Sequence, residues 1–394
     1  MRKVITIFED RLMNINLNSD EQKAILKLRE LIGSNNLRVY YDGSVQVMHY
    51  VGFFTIEKIS IQILPKVIED VNNFNDQDVM NWSMKALYNM LKESEFNNVL
   101  ELPEAIELNL NEHSFLEIFI SIFARKVLNY YEKSIYREYK VENQDVTFIK
   151  GKININNTIK HNIKGSHLHN VSFDELTENN VFNSIIKTIL LKLLSFTQSA
   201  ENKKLIRKCL VFFDSTNLIE LSIPLFDNLK FSRLNEKLRV LINMARMFYS
   251  NLAPEYQIGK QTIFSFLIPV NQLFEYYVYR KLCKDNTLKI MYQKEFGFLK
   301  LYSQKKIIKP DYIILDDLNI KYVGDAKYKI VDPTNFRDFN NSDLYQIYTY
   351  LKINDSKIGF LYYPQTIGSH RKDIEIESVE SDPIKVIVKF IDLV

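Results

Sequence analysis

The stretch KPDYIILDDLNIKYVGDAKY, Lys309 to Tyr328, decides how the chain is read. Its first run, Asp311 to Leu315, and its second, Ile320 to Tyr328, have the apolar, β-branched character of strands, and Asp316, Asp317, Leu318 and Asn319 between them form a polar turn. A hairpin symmetric about Leu318 places Asp311 directly opposite Asp325. Two carboxylates opposed across a sheet repel each other. The pairing makes sense if a hard divalent cation sits between them, because Mg²⁺ is held by one or two carboxylates together with water and phosphate oxygens. Lys327 follows Asp325 by two residues, the period of a strand, so both side chains leave one face. Paired carboxylates beside an ammonium suit metal-assisted phosphodiester hydrolysis: the cation supplies hydroxide and screens phosphate, and the lysine orients the water or stabilises developing charge.

The flanking residues agree. Ile313, Ile314 and Leu315, then Ile320, Tyr322 and Val323, read as core strands, where uncompensated charge is costly. Downstream, NSDLYQIYTYLKI is helical and puts Gln346 and Tyr350, four apart, on one face. Upstream, Gln272 to Cys283 is helical with Phe274, Val278 and Leu282 on one stripe and Glu275 beside it.

Pro310-Asp311 followed by Asp325-Ala326-Lys327 resembles the PD-(D/E)xK nuclease motif. The order of helix with glutamate, hairpin carboxylates, Asp-x-Lys and Gln-x-x-x-Tyr helix is similar to the nuclease domain of the McrC family, the cleavage subunits of modified-cytosine-dependent restriction systems. The likeness extends upstream through Phe148-Ile-Lys-Gly-Lys-Ile-Asn154, Ser172-Phe-Asp-Glu-Leu-Thr-Glu-Asn-Asn180 and Asn183-Ser-Ile-Ile-Lys-Thr188, and covers roughly residues 75 to 394. More loosely, Tyr50-Val-Gly52 and Ile63-Leu-Pro-Lys66 look like pieces of the family's amino-terminal extension. The resemblance implies a Mg²⁺-dependent endonuclease, with Mn²⁺ as a substitute. Its metal ligands are Asp311 and Asp325; Lys327, Gln346 and Glu275 complete the catalytic set. Glu275 would be a further ligand, through water, with Glu295 as the alternative. It also implies double-stranded, modified DNA as substrate and a hexameric AAA+ GTPase ring of McrB type as partner, engaged by residues 1 to about 71 together with parts of the helical middle. A non-catalytic activator of the ring and a stand-alone repair-type nuclease of the same fold remain alternatives.

The chain of 394 residues carries 51 Lys and Arg against 48 Asp and Glu, a net charge of +3, so DNA contact must come from local clustering. The densest positive stretch runs from Lys150 to His169, with Lys150, Lys152, Lys160 and Lys164 and no acidic residue. It reads equally as a phosphate-contacting strand or loop and as a solvated loop. Tyr350 is a further candidate DNA contact. His167 and His169 lack the additional ligands of a metal site. Cys209 and Cys283, far apart in apolar surroundings, are expected as buried free thiols of a reducing compartment. MRKVITIFEDR is too short for a signal peptide, and no run approaches the ~20 apolar residues of a membrane span, so a cytoplasmic protein is expected. Nowhere does G-x-x-x-x-G-K-[ST] occur, so the chain has no phosphate-cradling loop with which to power translocation.

The expected fold is a multidomain α+β or α/β assembly. Residues 1–71 form a small antiparallel β domain with one helix, Asp20 to Ile32, and a tight turn at Asp42-Gly43. Residues 72–255 are mainly helical and include a long helix from Asp174 to Thr197 and the basic loop. After a boundary at Ala253-Pro254 to Lys260, residues 256–394 form a restriction-endonuclease-like domain that ends with strands at Lys357 to Tyr363 and Ile384 to Ile391.

Overall fold

The computed structural model describes residues 3–15, 17–56, 59–68, 75–94, 115–253, 263–285, 288–301, 304–316, 319–367, 371–379 and 382–394. The expected turn residues Asp317 and Leu318 and the boundary segment after Ala253 lie outside them. The architecture is mixed α and β, with ten α-helices among the described residues. It divides into two compact units: Met1–Leu116 with Leu252–Val394, and Glu117–Asn251. This differs from the three successive domains drawn from the sequence, because the amino-terminal and carboxy-terminal strands belong to one unit.

The first unit opens with strand β1 (Lys3–Phe8), β2 (Met13–Asn14), helix α1 (Ser19–Ile32), β3 (Leu37–Val39), β4 (Ser44–Val47), β5 (Tyr50–Ile56), β6 (Ile59–Leu64) and helix α2 (Asp76–Glu93). Asn18 caps α1 reciprocally with Glu21, and Ala24, Ile25, Leu28 and Ile32 pack at helical spacing into a core with Ile61 and Ile63. The amino-terminal region, expected as one antiparallel sheet, forms two. The three-stranded sheet β2-β4-β3 is separate, and β1 pairs with β6 in parallel, Lys3 opposite Ile59 through Phe8 opposite Leu64. The long excursion through α1 and β2 to β5 allows that direction, which a tight turn would forbid.

The second unit contains most of helix α3 (Phe115–Tyr131), then β7 (Glu138–Val146), β8 (Lys152–Ile153), α4 (Ile155–Ile163), β9 (His169–Thr177), α5 (Val181–Phe196), α6 (Ala200–Leu210), α7 (Ile223–Asp227) and α8 (Arg239–Asn251). The helix expected from Asp174 starts only at Val181. Asp174 instead pairs with Val141 in the β7–β9 ribbon, and the Asn180 side chain accepts the Asn183 N–H as the helix cap. Cys209 is buried as expected, whereas Cys283 is exposed.

The chain re-enters the first unit with β10 (Leu252–Ala253), β11 (Ile263–Pro269), α9 (Val270–Asp285), β12 (Lys289–Tyr292), β13 (Phe296–Leu301), β14 (Gln304–Ile308), β15 (Tyr312–Asp316), β16 (Asn319–Ala326), α10 (Asn341–Ile353), β17 (Ile358–Pro364), β18 (Ile374–Glu377) and β19 (Lys385–Ile391). Here β11 joins the amino-terminal sheet, whose order is β1-β6-β5-β11-β10. The second large sheet runs β12-β15-β16-β17-β19-β18, with β16, β17 and β19 mutually parallel. Helix α10 crosses from β16 to β17 and buries Ile347 and Leu351 against Ile313, Val323 and Leu361. No helix among the described residues is long and apolar enough to cross a membrane.

Gly52 permits the β5–β11 pairing. Its φ is 128°, and a β-carbon there would stand 1.9 Å from the Phe266 carbonyl oxygen. Gly52→Ala is therefore expected to lower the unfolding midpoint in urea by the equivalent of about 2 kcal/mol or more, with an unchanged m-value. An unaltered midpoint would contradict the close approach.

Candidate functional site

The hairpin register follows the symmetry expected from sequence near its open end. Tyr312 faces Gly324, Ile313 faces Val323 and Ile314 faces Tyr322; the register then shifts by one residue toward the turn. Asp311, immediately before β15, and Asp325, on β16, form the next opposed pair. The Ala326 N–H donates to Asp311 Oδ2 at 2.8 Å. Beyond the end of β16, the Lys327 N–H donates to the Tyr362 carbonyl on β17. That bond fixes the lysine, whose Nζ lies 2.6 Å from Asp325 Oδ2 and donates to Gln346 Oε1 at 2.9 Å. Gln346 in turn donates through Nε2 to the Tyr350 hydroxyl, at 2.6 Å. Helix α10 thus presents Gln346 to Lys327 and keeps Tyr350 behind it. Tyr350 is buried, so the expectation that it contacts DNA is corrected: its hydroxyl is turned inward to Gln346.

Glu275, on α9, closes the other side. Its carboxylate accepts from Gln293 Nε2, and its backbone carbonyl accepts from the Tyr312 hydroxyl at 2.7 Å. Gln293, in a left-handed conformation at φ 50°, also donates its N–H to the Asp311 carbonyl. One residue therefore links Glu275 to the hairpin. Glu295, the alternative to Glu275, is exposed between β12 and β13 and does not line the site.

Burial is the first cause of the site's unusual proton affinities. It pushes Asp311 up to about 9, reinforced by the charges of Asp325 and Glu275 and opposed by the Ala326 N–H and Lys327. Asp325, 1% exposed, is also raised by burial, with Lys327 acting against the shift. For Lys327 burial favours the neutral amine, but the carboxylates of Asp325, Asp311 and Asp343 outweigh it, and its pKa is raised.

These side chains line a cavity of about 500 Å³. Glu275, Asp311, Asp325, Lys327 and Gln346, singled out from the sequence, all reach it. So do residues not expected at the site from sequence: Glu9 and Asp10 after β1, Lys66 after β6, and His49 between β4 and β5. Glu9 is buried and pushed up to about 7, chiefly by that burial and then by Asp10, while the His49 N–H and Lys66 pull the other way. Its Oε1 accepts the His49 backbone N–H at 3.0 Å. The Tyr328 hydroxyl donates to the Lys66 carbonyl at 3.0 Å, a bond between the residue after Lys327 and the end of β6.

Among the described residues no three carboxylate, imidazole or thiol groups form a metal site by themselves. The donor set fits a hard cation held by two carboxylates, with its other positions open to water or phosphate oxygens. Asp325 Oδ2 favours this fit, because it is buried and, apart from its ion pair with Lys327, makes no well-directed hydrogen bond. His167 and His169 do not line the cavity, and neither do Lys150, Lys152, Lys160 or Lys164. In the second unit the Lys150 ammonium stacks 3.4 Å from the Phe173 ring centroid, Lys152 is in β8, and Lys160 and Lys164 are in and at the end of α4.

Residues 45–364 match the family described as McrBC 5-methylcytosine restriction system component. Among solved structures, a half-complex of Thermococcus gammatolerans McrB AAA+ hexamers with bound McrC is similar over 99% of this chain and 95% of that one, at 22% identity and a TM-score of 0.81. A second structure, the Thermococcus gammatolerans McrBC complex, is similar over 72% of this chain and 88% of that one, at 22% identity and a TM-score of 0.57. No curated protein matches the sequence.

The raised Asp311 pKa sets the sign of a pH dependence. Between the ordinary value of 3.8 and about 9 the folded state binds a proton that the unfolded chain releases, so this group's contribution to stability falls as pH rises through that window. Asp311→Asn keeps an acceptor for the Ala326 N–H and removes the charge. In metal-free buffer the variant should be the more stable protein at pH 8, by on the order of 1 kcal/mol or more, and the difference should shrink toward pH 4. Denaturation curves at several pH values read it directly, and a difference that grows toward acid would contradict the assignment.

Proposed function

Because the chain belongs to the family of McrBC 5-methylcytosine restriction system components, we propose that it is the DNA-cleaving subunit of such a system, a Mg²⁺-dependent endonuclease of PD-(D/E)xK type. The convergence of Asp311, Asp325, Lys327 and Gln346 at one end of the hairpin carries this reading.

In this reading Asp311 and Asp325 would hold the cation, and Glu275, which lines the same cavity, would be a further ligand through water. The bound ion supplies a water of lowered pKa and screens the phosphate. Lys327, kept protonated by Asp325 and oriented by Gln346, donates to the water or to the phosphate oxygens where negative charge builds up. Tyr350 holds Gln346, and Gln293 holds Glu275, so each group that would meet substrate has a fixed orientation.

By likeness to the McrB hexamers with bound McrC, the partner is a hexameric AAA+ GTPase of McrB type, and the substrate is double-stranded DNA carrying modified cytosine. Supporting a partner, the second unit leaves an apolar surface uncovered. Tyr139, Val141 and Leu176 are 74%, 60% and 48% exposed on one face of the β7–β9 ribbon, with Tyr139 directly opposite Leu176. Residues 1–71, expected from sequence to serve docking, also contribute Glu9, Asp10, His49 and Lys66 to the cavity wall.

Asp325→Ala and Lys327→Ala are each expected to reduce cleavage of modified DNA by the assembled complex by at least about 100-fold. Both should leave stimulation of the ring's GTP hydrolysis in place. Mg²⁺ should raise the thermal midpoint of the isolated chain, and Asp311→Asn should remove most of that shift. A folded Asp325→Ala variant that still cleaves would overturn the assignment.

A further inference from the structure

We propose that Glu9 is a positioning residue of the cleavage centre, acting through the His49 turn on the helix that carries Glu275; this rests on the nuclease reading above. Glu9 lies outside the family match, which begins at residue 45.

The chain of contacts is continuous. Glu9 follows the last residue of β1, and its backbone N–H donates to the Leu64 carbonyl at 2.8 Å, so the main chain is pinned to the end of β6. Its side chain, 6% exposed, accepts the His49 N–H through Oε1 at 3.0 Å. His49 has φ 65°, a conformation that a residue bearing a β-carbon keeps only where its surroundings hold it. The His49 carbonyl accepts the N–H of Val270, the first residue of α9, at 2.9 Å. The first N–H groups of a helix have no partner within it, so this bond sets where α9 begins. Asn271 and Glu275 follow on one face of that helix, four residues apart, and both line the cavity.

Without an acceptor at Glu9, the His49 turn is free to leave the left-handed conformation, and the start of α9 loses its anchor. Glu275 would then depend on Gln293 and Tyr312 alone. The proton affinity of Glu9, near 7, fits a holding role, because the carboxylate and the neutral acid both accept an N–H. Its hold therefore does not require charge, and glutamine can supply it.

The test uses single-turnover cleavage of modified DNA by the full chain with its ring partner and GTP, and Mg²⁺ titration of the isolated chain followed by its thermal midpoint. Glu9→Ala should slow cleavage by about 10-fold or more and raise the Mg²⁺ concentration for half-maximal stabilisation by about 10-fold. Glu9→Gln should stay within about threefold of the parent in both readouts, because its amide oxygen accepts the same N–H. Glu9→Asp keeps the charge but shortens the reach by one methylene, so it should behave like Glu9→Ala and replaces it where the alanine variant does not fold. Adding His49→Gly to Glu9→Ala should recover most of both losses, since glycine adopts the turn without strain. Parent-like behaviour of Glu9→Ala or Glu9→Asp, or a Glu9→Gln as damaged as they are, would overturn the proposal. Asp325→Ala runs alongside: if it cleaves normally, the nuclease reading itself has failed, a result separate from any effect at Glu9.

Discussion

The rest of the site is arranged around the repulsion between Asp311 and Asp325. Opposed carboxyl groups at the buried end of a hairpin disfavour ionisation, and one of them carries a proton affinity near 9. The sheet tolerates them because other groups answer each charge: the Ala326 N–H bonds to Asp311, and Lys327 pairs with Asp325. Lys327 is in turn fixed at its backbone by β17 and at its ammonium by α10. An apolar core of Ile313, Val323, Ile347, Leu351 and Leu361 lies beside these groups and keeps the surrounding dielectric low. In that setting a charge arriving between the carboxylates would meet partners already held in place.

What could be read in advance was what is local. The hairpin register near Asp311 follows from the spacing of its two runs and the polar turn between them, and the structure departs from it only by the one-residue shift after Ile314. Helix α10 coincides with NSDLYQIYTYLKI because its apolar residues recur at helical spacing and Asn340 caps it. Periodicity did not reveal that Asp174 begins no helix. Its segment is polar enough for either state, and pairing with Val141 decides the matter. The wall formed by Glu9, Asp10, His49 and Lys66 was illegible for a different reason. Each side chain is unremarkable in its own neighbourhood and meets the hairpin only through tertiary packing.

The two large sheets offer the cavity the same kind of edge. Glu9 and Lys66 lie just past the ends of β1 and β6, a parallel pair, while Ala326 and Pro364 end β16 and β17, another parallel pair. Open parallel sheets bind ligands beyond the carboxyl ends of their strands, where backbone polar groups are no longer consumed by the ladder. Here two such edges border one space, which explains how residues from both ends of the chain come to line it.

The pairing of Gly52 with Leu267 has a consequence for how the molecule assembles. During synthesis β5 emerges long before β11, with the whole of the second unit, Glu117–Asn251, between them. The amino-terminal sheet must therefore wait, its β5 edge exposed, while the intervening unit acquires its own core of α3, α5 and α8. Contacts of such sequence separation are slow to form, and an uncovered strand edge recruits other chains in the meantime. A nascent chain whose insert has left the ribosome while β11 is still inside the exit tunnel would hold a folded insert beside an incomplete sheet, a natural client for a chaperone.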